Sequence, residues 1–197
     1  MCLDQRQFIL LMRNIPSFEA IKNLQLNNLT AYRIDALLRS INAAFFLSND
    51  FRGDTCLSVC LGDNTVIKFS GKKLRGLNPD ERQLAGVLRK ATLQKKYPGI
   101  KFQREGLENL ELGSLNTAVL EQSSKIIKHE DLKTLNQFIL GGYQGFLKED
   151  LEYLKKLNIP SLSLGEKTYL SSHCIVFIHM VKDEQLNAGR NNTKIKN

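Results

Sequence analysis

Two short apolar segments near the C-terminal end each finish on a Leu-Gly step. The first is Phe138-Ile-Leu-Gly141, continued by Gly142-Tyr-Gln-Gly-Phe146; the second is Ser161-Leu-Ser-Leu-Gly165. A third loop, Tyr169-Leu-Ser-Ser-His-Cys174, follows and leads into an apolar run to Val181. Glycine lets a backbone turn sharply and approach a ligand closely. Open α/β sheets bind their ligands outside the carboxyl ends of the strands. The three loops therefore read as the walls of a pocket at the ends of adjacent parallel strands. Neither Leu-Gly step specifies a ligand by itself.

The rest of the chain supplies the sheet. Residues 6–13 read as a buried strand, and 14–29 are polar and irregular. Thr30 is placed to cap a helix over roughly 31–48, in which Ile34, Leu37, Leu38, Ile41, Ala44, Phe45 and Leu47 recur at helical spacing. Thr55–Leu61 and Thr65–Phe69 form a hairpin pattern around Gly62-Asp63-Asn64. Asn78 as cap, Pro79 at the first position and the acidic pair Asp80 and Glu81 predict a second long helix to about Lys96. Ile100–Arg104, Thr117–Leu120, Phe138–Leu140 and Ser161–Leu164 read as strands, Leu107–Leu112 as a turn or two of helix, and Leu147–Leu157 as an amphipathic helix. Glu121–Gln137 is a polar connection. His173–Val181 is ambiguous: its β-branched residues favour a strand, while Ser171 or Ser172 could cap a helix. Alternating elements predict an α/β fold with a mostly parallel sheet.

A chain of 197 residues accommodates one sizeable core. Its 42% hydrophobic and 24% charged residues are those of a globular protein. No apolar run reaches the roughly 18 residues that span a bilayer, and Phe8–Met12 is too short for a secretory signal. No membrane association is expected. The formal charge of +8 favours polyanionic partners, nucleic acid first. Cys2, Cys56, Cys60 and Cys174 make no CxxC, and His129, His173 and His179 complete no zinc spacing with them. Buried thiols in a reducing cytoplasm are preferred to a metal site. There is no GxGxxG after the first strand and no P-loop, so neither a dinucleotide nor a nucleoside triphosphate is indicated.

Four blocks in this order carry a resemblance. They are Ile34-Asp-Ala-Leu-Leu-Arg-Ser-Ile-Asn-Ala-Ala-Phe-Phe-Leu-Ser48, Leu74-Arg-Gly-Leu-Asn-Pro-Asp-Glu-Arg82, Phe138-Ile-Leu-Gly141 with Gly145-Phe146, and Ser163-Leu-Gly165 followed by Ser172-His-Cys174. Together they resemble the archaeal tRNA (pseudouridine-54-N1)-methyltransferases and their bacterial relatives, within the SPOUT superfamily. The resemblance covers roughly residues 6–184 and is most distinctive in the Asn-Pro-Asp-Glu-Arg block.

The resemblance implies one SPOUT domain over 1–186, with a trefoil knot near the C-terminus and a disordered basic tail over 187–197. It also implies S-adenosylmethionine as cofactor, RNA (tRNA foremost) as substrate, a cytoplasmic homodimer packed across the knot, and a helix rather than a strand for the last segment. By position, Leu120 ends the strand before the knot, Gly141 begins the first knot loop, and Leu164 and Gly165 form the second. Glu166, Lys167, Thr168, Tyr169 and Leu170 lead to Cys174 in the third. One position departs from the family pattern. Its members read Leu-Gly-Asp-His where this chain reads Leu140-Gly-Gly-Tyr143, which is closer to the matching loop of the bacterial tRNA guanine-N1 methyltransferases.

Methyl transfer to a base nitrogen needs alignment, removal of a proton, and stabilisation of negative charge on the base. Arg33, Asp35 and Arg39 on the first long helix and Arg75 before the second are candidates, with Asp35 as base and Arg33 as an RNA or transition-state contact. The alternative for Asp35 is a solvated or salt-bridged helix residue. Asp80, Glu81 and Arg82 are expected to be first-turn or local partners, His173 a structural hydrogen-bonder and His179 a core or interface residue. Cys174 lines the pocket and is not a nucleophile. Tyr143 either stacks on a base or closes the pocket. Lys72, Lys73, Arg75, Arg89, Lys90, Lys95 and Lys96 are candidates for a phosphate-binding surface. Two further readings stay open: a related enzyme acting on another base or on ribosomal RNA, and a non-catalytic dimer that binds S-adenosylmethionine or RNA.

Overall fold

The computed structural model describes residues 6–94, 96–113 and 116–194, with the backbone alone for 185–194. Cys2, Lys95 and the end of the expected tail lie outside the described residues. Among the described residues there are seven strands: β1 (Arg6–Met12), β2 (Thr55–Leu61), β3 (Thr65–Ser70), β4 (Ile100–Arg104), β5 (Thr117–Ile126), β6 (Gln137–Gly141) and β7 (Ser161–Ser163). They form one sheet in the order β4-β3-β2-β1-β6-β5-β7. Six α-helices accompany them among the described residues: α1 (Phe18–Lys22), α2 (Ile34–Phe45), α3 (Glu81–Gln94), α4 (His129–Thr134), α5 (Lys148–Lys156) and α6 (Ser171–Lys194). The α/β architecture is as expected. The strands β2, β1, β6, β5 and β7 run parallel, and β3 and β4 extend one edge as antiparallel neighbours.

The unbroken apolar run of β1 fits its central place, because both of its faces are covered. Phe8, Leu10 and Met12 face a core shared with α2, α3 and α6. Ile9 and Leu11 face a smaller one with Val119, Ile139 and Leu154 of α5. Successive strand residues alternate in direction, so a strand that alternated polar with apolar could not sit there.

Helix starts differ from the sequence reading in two places. Thr30 precedes only a short 3-10 turn, Ala31–Arg33, and its side chain does not cap it; the hydroxyl donates to Asn28 Oδ1 at 3.0 Å. Tyr32 and Arg33 instead take left-handed backbone angles (φ 52 and 54), and α2 begins at Ile34. In α3 the cap is Asp80 rather than Asn78. The Asp80 carboxylate accepts from the Gln83 N–H at 2.8 Å, which satisfies an otherwise unpaired donor of the first turn.

The ambiguous last segment is helical. Ile175, Ile178, Val181 and Lys182 are buried, whereas Val176 and Met180 are 44% and 62% exposed. That spacing is helical, and strand alternation does not produce it. The segment reads as apolar throughout because α6 has an apolar inner face and a second apolar stripe outside. Its inner face packs on α2 through a buried polar cluster. Arg6 Nη1 donates to His179 Nδ1 at 2.9 Å, His179 Nε2 donates to the Ala44 carbonyl at 3.1 Å, and Asp183 accepts from Arg6 at 2.7 Å and Arg52 at 2.6 Å. Burial first, then the charges of Arg52 and Arg6, push the His179 pKa down to about 3, so the ring is neutral. Among the described residues, no helix is long and apolar enough to cross a membrane.

Candidate functional site

β5, β6 and β7 run the same way, and the loops after β6 and β7, with the Leu120–Ser123 stretch of β5, line a cavity of about 450 Å³. Leu120, Leu140, Leu164 and Leu170 give it apolar lining, as do Phe146 and Leu151. Met12 at the end of β1 and Ala36, Arg39 and Ser40 of α2 also line it, as does Arg33 immediately before that helix. An apolar pocket with a few convergent polar groups at the ends of parallel strands is the usual setting for a small-molecule ligand.

The first loop is held by backbone on backbone. A Cβ at Gly141 would lie 2.7 Å from the Gly145 carbonyl carbon. A Cβ at Gly142 would lie 2.7 Å from the Leu11 carbonyl oxygen and 2.8 Å from Met12 Sδ. The Gly142 N–H donates to that same Leu11 carbonyl at 2.9 Å, and the Gly145 N–H closes the turn onto the Gly142 carbonyl at 3.0 Å. Gly145 carries φ +76. The Gly142 departure thus has a steric reason in this chain: the loop lies against the end of β1 too closely for any side chain. The third loop is tied to the first, since Ser171 Oγ donates to the Gly141 carbonyl at 2.6 Å. The second closes on itself, with Ser163 Oγ donating to the Gly165 carbonyl at 2.7 Å.

The charged side of the cavity is a chain of contacts. Asp35 is 8% exposed and accepts from Arg33 Nε at 3.1 Å, Arg33 Nη2 at 3.2 Å and Arg39 Nη2 at 2.7 Å. Burial pushes its carboxyl up, but hydrogen bonds and charge from both guanidinium groups outweigh this and hold its pKa below the ordinary value. The Arg33 guanidinium also lies 4.0 Å from the centre of the Tyr143 ring. The left-handed Arg33 backbone, costly for a residue with a side chain, belongs to this arrangement.

Of the residues singled out from sequence, Arg33, Leu120, Gly141, Leu164, Lys167, Thr168, Tyr169, Leu170 and Cys174 come together around this cavity. Gly165 and Glu166 do not line it: the Tyr169 hydroxyl packs over Gly165, and the exposed Glu166 accepts at its carbonyl from Gln122 at 3.2 Å. Asp35 stands behind Arg33. Cys174 is a neutral thiol, its pKa pushed up to about 11 by burial. His173 is exposed, and the buried His179 belongs to the α6 contact with α2. Lys72, Lys73, Arg75, Arg82, Lys90 and Lys96 are exposed, in the connection after β3 and along and beyond α3.

Sequence reasoning missed Glu121, Gln122 and Ser123, which also line the cavity. The stretch after Leu120 is not a plain connection. β5 continues to Ile126, and its pairing with β7 slips between Leu120 and Lys125, so the intervening residues bulge over the pocket. Among the described residues, Glu121 is the one carboxylate lining the cavity, and it accepts from Ser123 Oγ at 3.0 Å. Nothing in a polar Glu-Gln-Ser-Ser string signals a bulged strand. Among the described residues, no group of three or more His, Cys, Asp or Glu could hold a metal ion.

Residues 5–186 match the model of a family of SAM-dependent RNA methyltransferases. The chain is 37% identical over 163 residues to a tRNA (pseudouridine(54)-N(1))-methyltransferase of Methanocorpusculum labreanum, covering 75% of this chain and 82% of that one. It is 31% identical to the protein of the same name from Haloferax volcanii, covering 90% of this chain and 96% of that one. In fold it is similar to Archaeoglobus fulgidus Nep1, solved bound to S-adenosylhomocysteine, with a TM-score of 0.67 at 14% identity over 91% of this chain and 98% of that one.

Proposed function

The chain belongs to this family of SAM-dependent RNA methyltransferases, and from that premise we propose that it methylates N1 of pseudouridine at position 54 of tRNA. The observation that carries the reading is the cavity itself: largely apolar, lined by β5 and by the loops after the parallel strands β6 and β7, with Arg33, Arg39 and Lys167 among its lining residues. The residues present fit S-adenosylmethionine. Leu120, Leu140, Leu164 and Leu170 offer flat apolar surface for an adenine ring. The close-packed glycine loop offers backbone donors and acceptors, and Glu121 offers a carboxylate to hydroxyl or ammonium groups. Lys167, Thr168, Tyr169 and Cys174 complete the wall of the same site, and Gly165 and Glu166 belong to the loop that carries them. When bound, this cofactor supplies a methyl group already activated for transfer.

The protein's own work is then to orient the base and manage its proton. Arg33 holds its positive charge behind the Tyr143 ring, and that charge favours negative charge on the base as N1 gives its proton to solvent. Asp35 serves this step by fixing Arg33. Bound to two guanidinium groups, with its pKa below the ordinary carboxyl value, it is a weak proton acceptor. Cys174 remains protonated and forms no bond to the methyl group.

Two structural parts of the reading go with this. The chain leaves β7 at the sheet edge and returns past β5 to Gly141 of β6, which supports the trefoil knot. The outer stripe of α6, Val176 and Met180, supports a homodimer packed through that helix. Nucleoside mass spectrometry of a tRNA transcript carrying pseudouridine at 54, incubated with protein and S-adenosylmethionine, tests the function. N1-methylpseudouridine is expected. Calorimetric binding of S-adenosylhomocysteine with no methylation of that tRNA would discard the substrate, and no binding at all would discard the cofactor.

A further inference from the structure

Tyr143 is the side chain least explained by a cofactor pocket. It lines the cavity yet is 58% exposed, in the glycine loop that follows β6. The backbone on both sides of it is fixed: Gly142 is bonded to the end of β1 and Gly145 is bonded back to Gly142. One face of its ring carries the Arg33 guanidinium at 4.0 Å. Arg33 in turn is fixed by Asp35, which Arg39 also holds. A tyrosine that merely closed the pocket would bury its ring against the loops. This one is braced from behind and leaves most of its surface open.

We propose that Tyr143 is the platform on which the target base stacks, with Arg33 as the brace behind the ring. The inference rests on the reading of the cavity as a methyltransferase site, and it assigns a substrate-positioning residue within that site. A base must leave its own stack before its ring nitrogen can be approached, and stacking on an aromatic face recovers part of that loss. A cation against the far face leaves the platform pre-organised, so little freedom is lost when the base arrives. Stacking tolerates every base, so Tyr143 captures the nucleotide and does not choose its identity.

The test compares Tyr143→Phe, Tyr143→Leu and Tyr143→Ala with the wild type. Affinity is measured for a labelled tRNA transcript and for S-adenosylhomocysteine, and emission is read from 2-aminopurine placed at position 54. Loss of the ring should weaken RNA binding roughly 5- to 150-fold. Tyr143→Phe should stay within about threefold, and S-adenosylhomocysteine affinity should stay within about twofold throughout, following the same sequence-tolerant stacking. Bound 2-aminopurine should be quenched in the wild type and Tyr143→Phe and bright in Tyr143→Leu. Unchanged RNA affinity and emission in Tyr143→Leu overturn the proposal. So does parallel loss of RNA and S-adenosylhomocysteine binding, which makes the ring a cofactor wall. A wild-type protein that binds no tRNA overturns the functional reading itself, and the platform with it.

Discussion

Replacing Gly142 with Asp, the residue found there in the resembling family, should damage this protein rather than improve it. The new Cβ would stand 2.7 Å from the Leu11 carbonyl oxygen, 2.8 Å from Met12 Sδ and 3.2 Å from Met12 Cα. Two of these are backbone atoms of β1, the central strand, which cannot retreat without disturbing both cores. The loop must move instead. Overpacking of this kind costs about 1–3 kcal/mol. Moving the loop also strains the hydrogen bond from Gly142 N–H to Leu11, worth about 0.5–1.5 kcal/mol. A loss of about 2–4 kcal/mol is expected. Because Ser171 hangs on the neighbouring Gly141 carbonyl, the third loop should follow the first, and S-adenosylhomocysteine affinity should fall at least about tenfold, the equivalent of 1.4 kcal/mol. Gly142→Ala separates shape from charge: it carries the same Cβ and should lose nearly as much stability. Denaturant unfolding and calorimetry read the two effects. If both variants unfold at the wild-type midpoint and bind with wild-type affinity, the steric account is wrong.

The remaining predictions concern the charged groups. His179 is neutral in the fold, with a pKa of about 3 against 6.5 for the free side chain, so its contribution is complete above about pH 6.5 and is lost as the pH falls towards 3. By pH 4.5 this should remove about 2–3 kcal/mol of unfolding free energy, and His179→Gln should flatten that slope; equal slopes in the two proteins would refute it. Asp35→Asn should lower kcat at least about tenfold, as expected for loss of transition-state stabilisation, with S-adenosylhomocysteine affinity unchanged within about twofold. If Asp35 only positions Arg33, the pH-rate profile should keep its shape; if it were the base, the acid limb would disappear.

How much of the fold the chain declares depends on whether a pattern is local. The apolar run of β1 and the Gly62-Asp63-Asn64 turn are local signals, and both elements form where they are expected. α6 is ambiguous in sequence because its two apolar faces hide the helical period, and only its packing on α2 separates them. The extension of β5 is invisible for the opposite reason. Glu121–Ser124 is polar because it bulges over a cavity and carries no buried face to report itself. The α3 cap is misplaced by two residues because Asp80 competes with Asn78 for the same role.

The site divides along the same line. Its cofactor half is built from glycines and leucines at strand ends, and such residues declare a close approach of backbone by their type and order alone. The half facing the substrate is built from side chains whose pairing only the fold sets: Arg33 against Tyr143 from distant parts of the chain, and Asp35 held between Arg33 and Arg39 at the start of a helix. No single residue there is unusual in sequence. What distinguishes Arg33 is a left-handed backbone that aims it, and Tyr-Arg carries no signal for that conformation. The Gly142 departure joins the two halves. It lets the first loop lie on β1, and that position sets where Tyr143 stands beside Arg33. A change that enters as the loss of an acidic side chain therefore acts on the substrate side through the backbone.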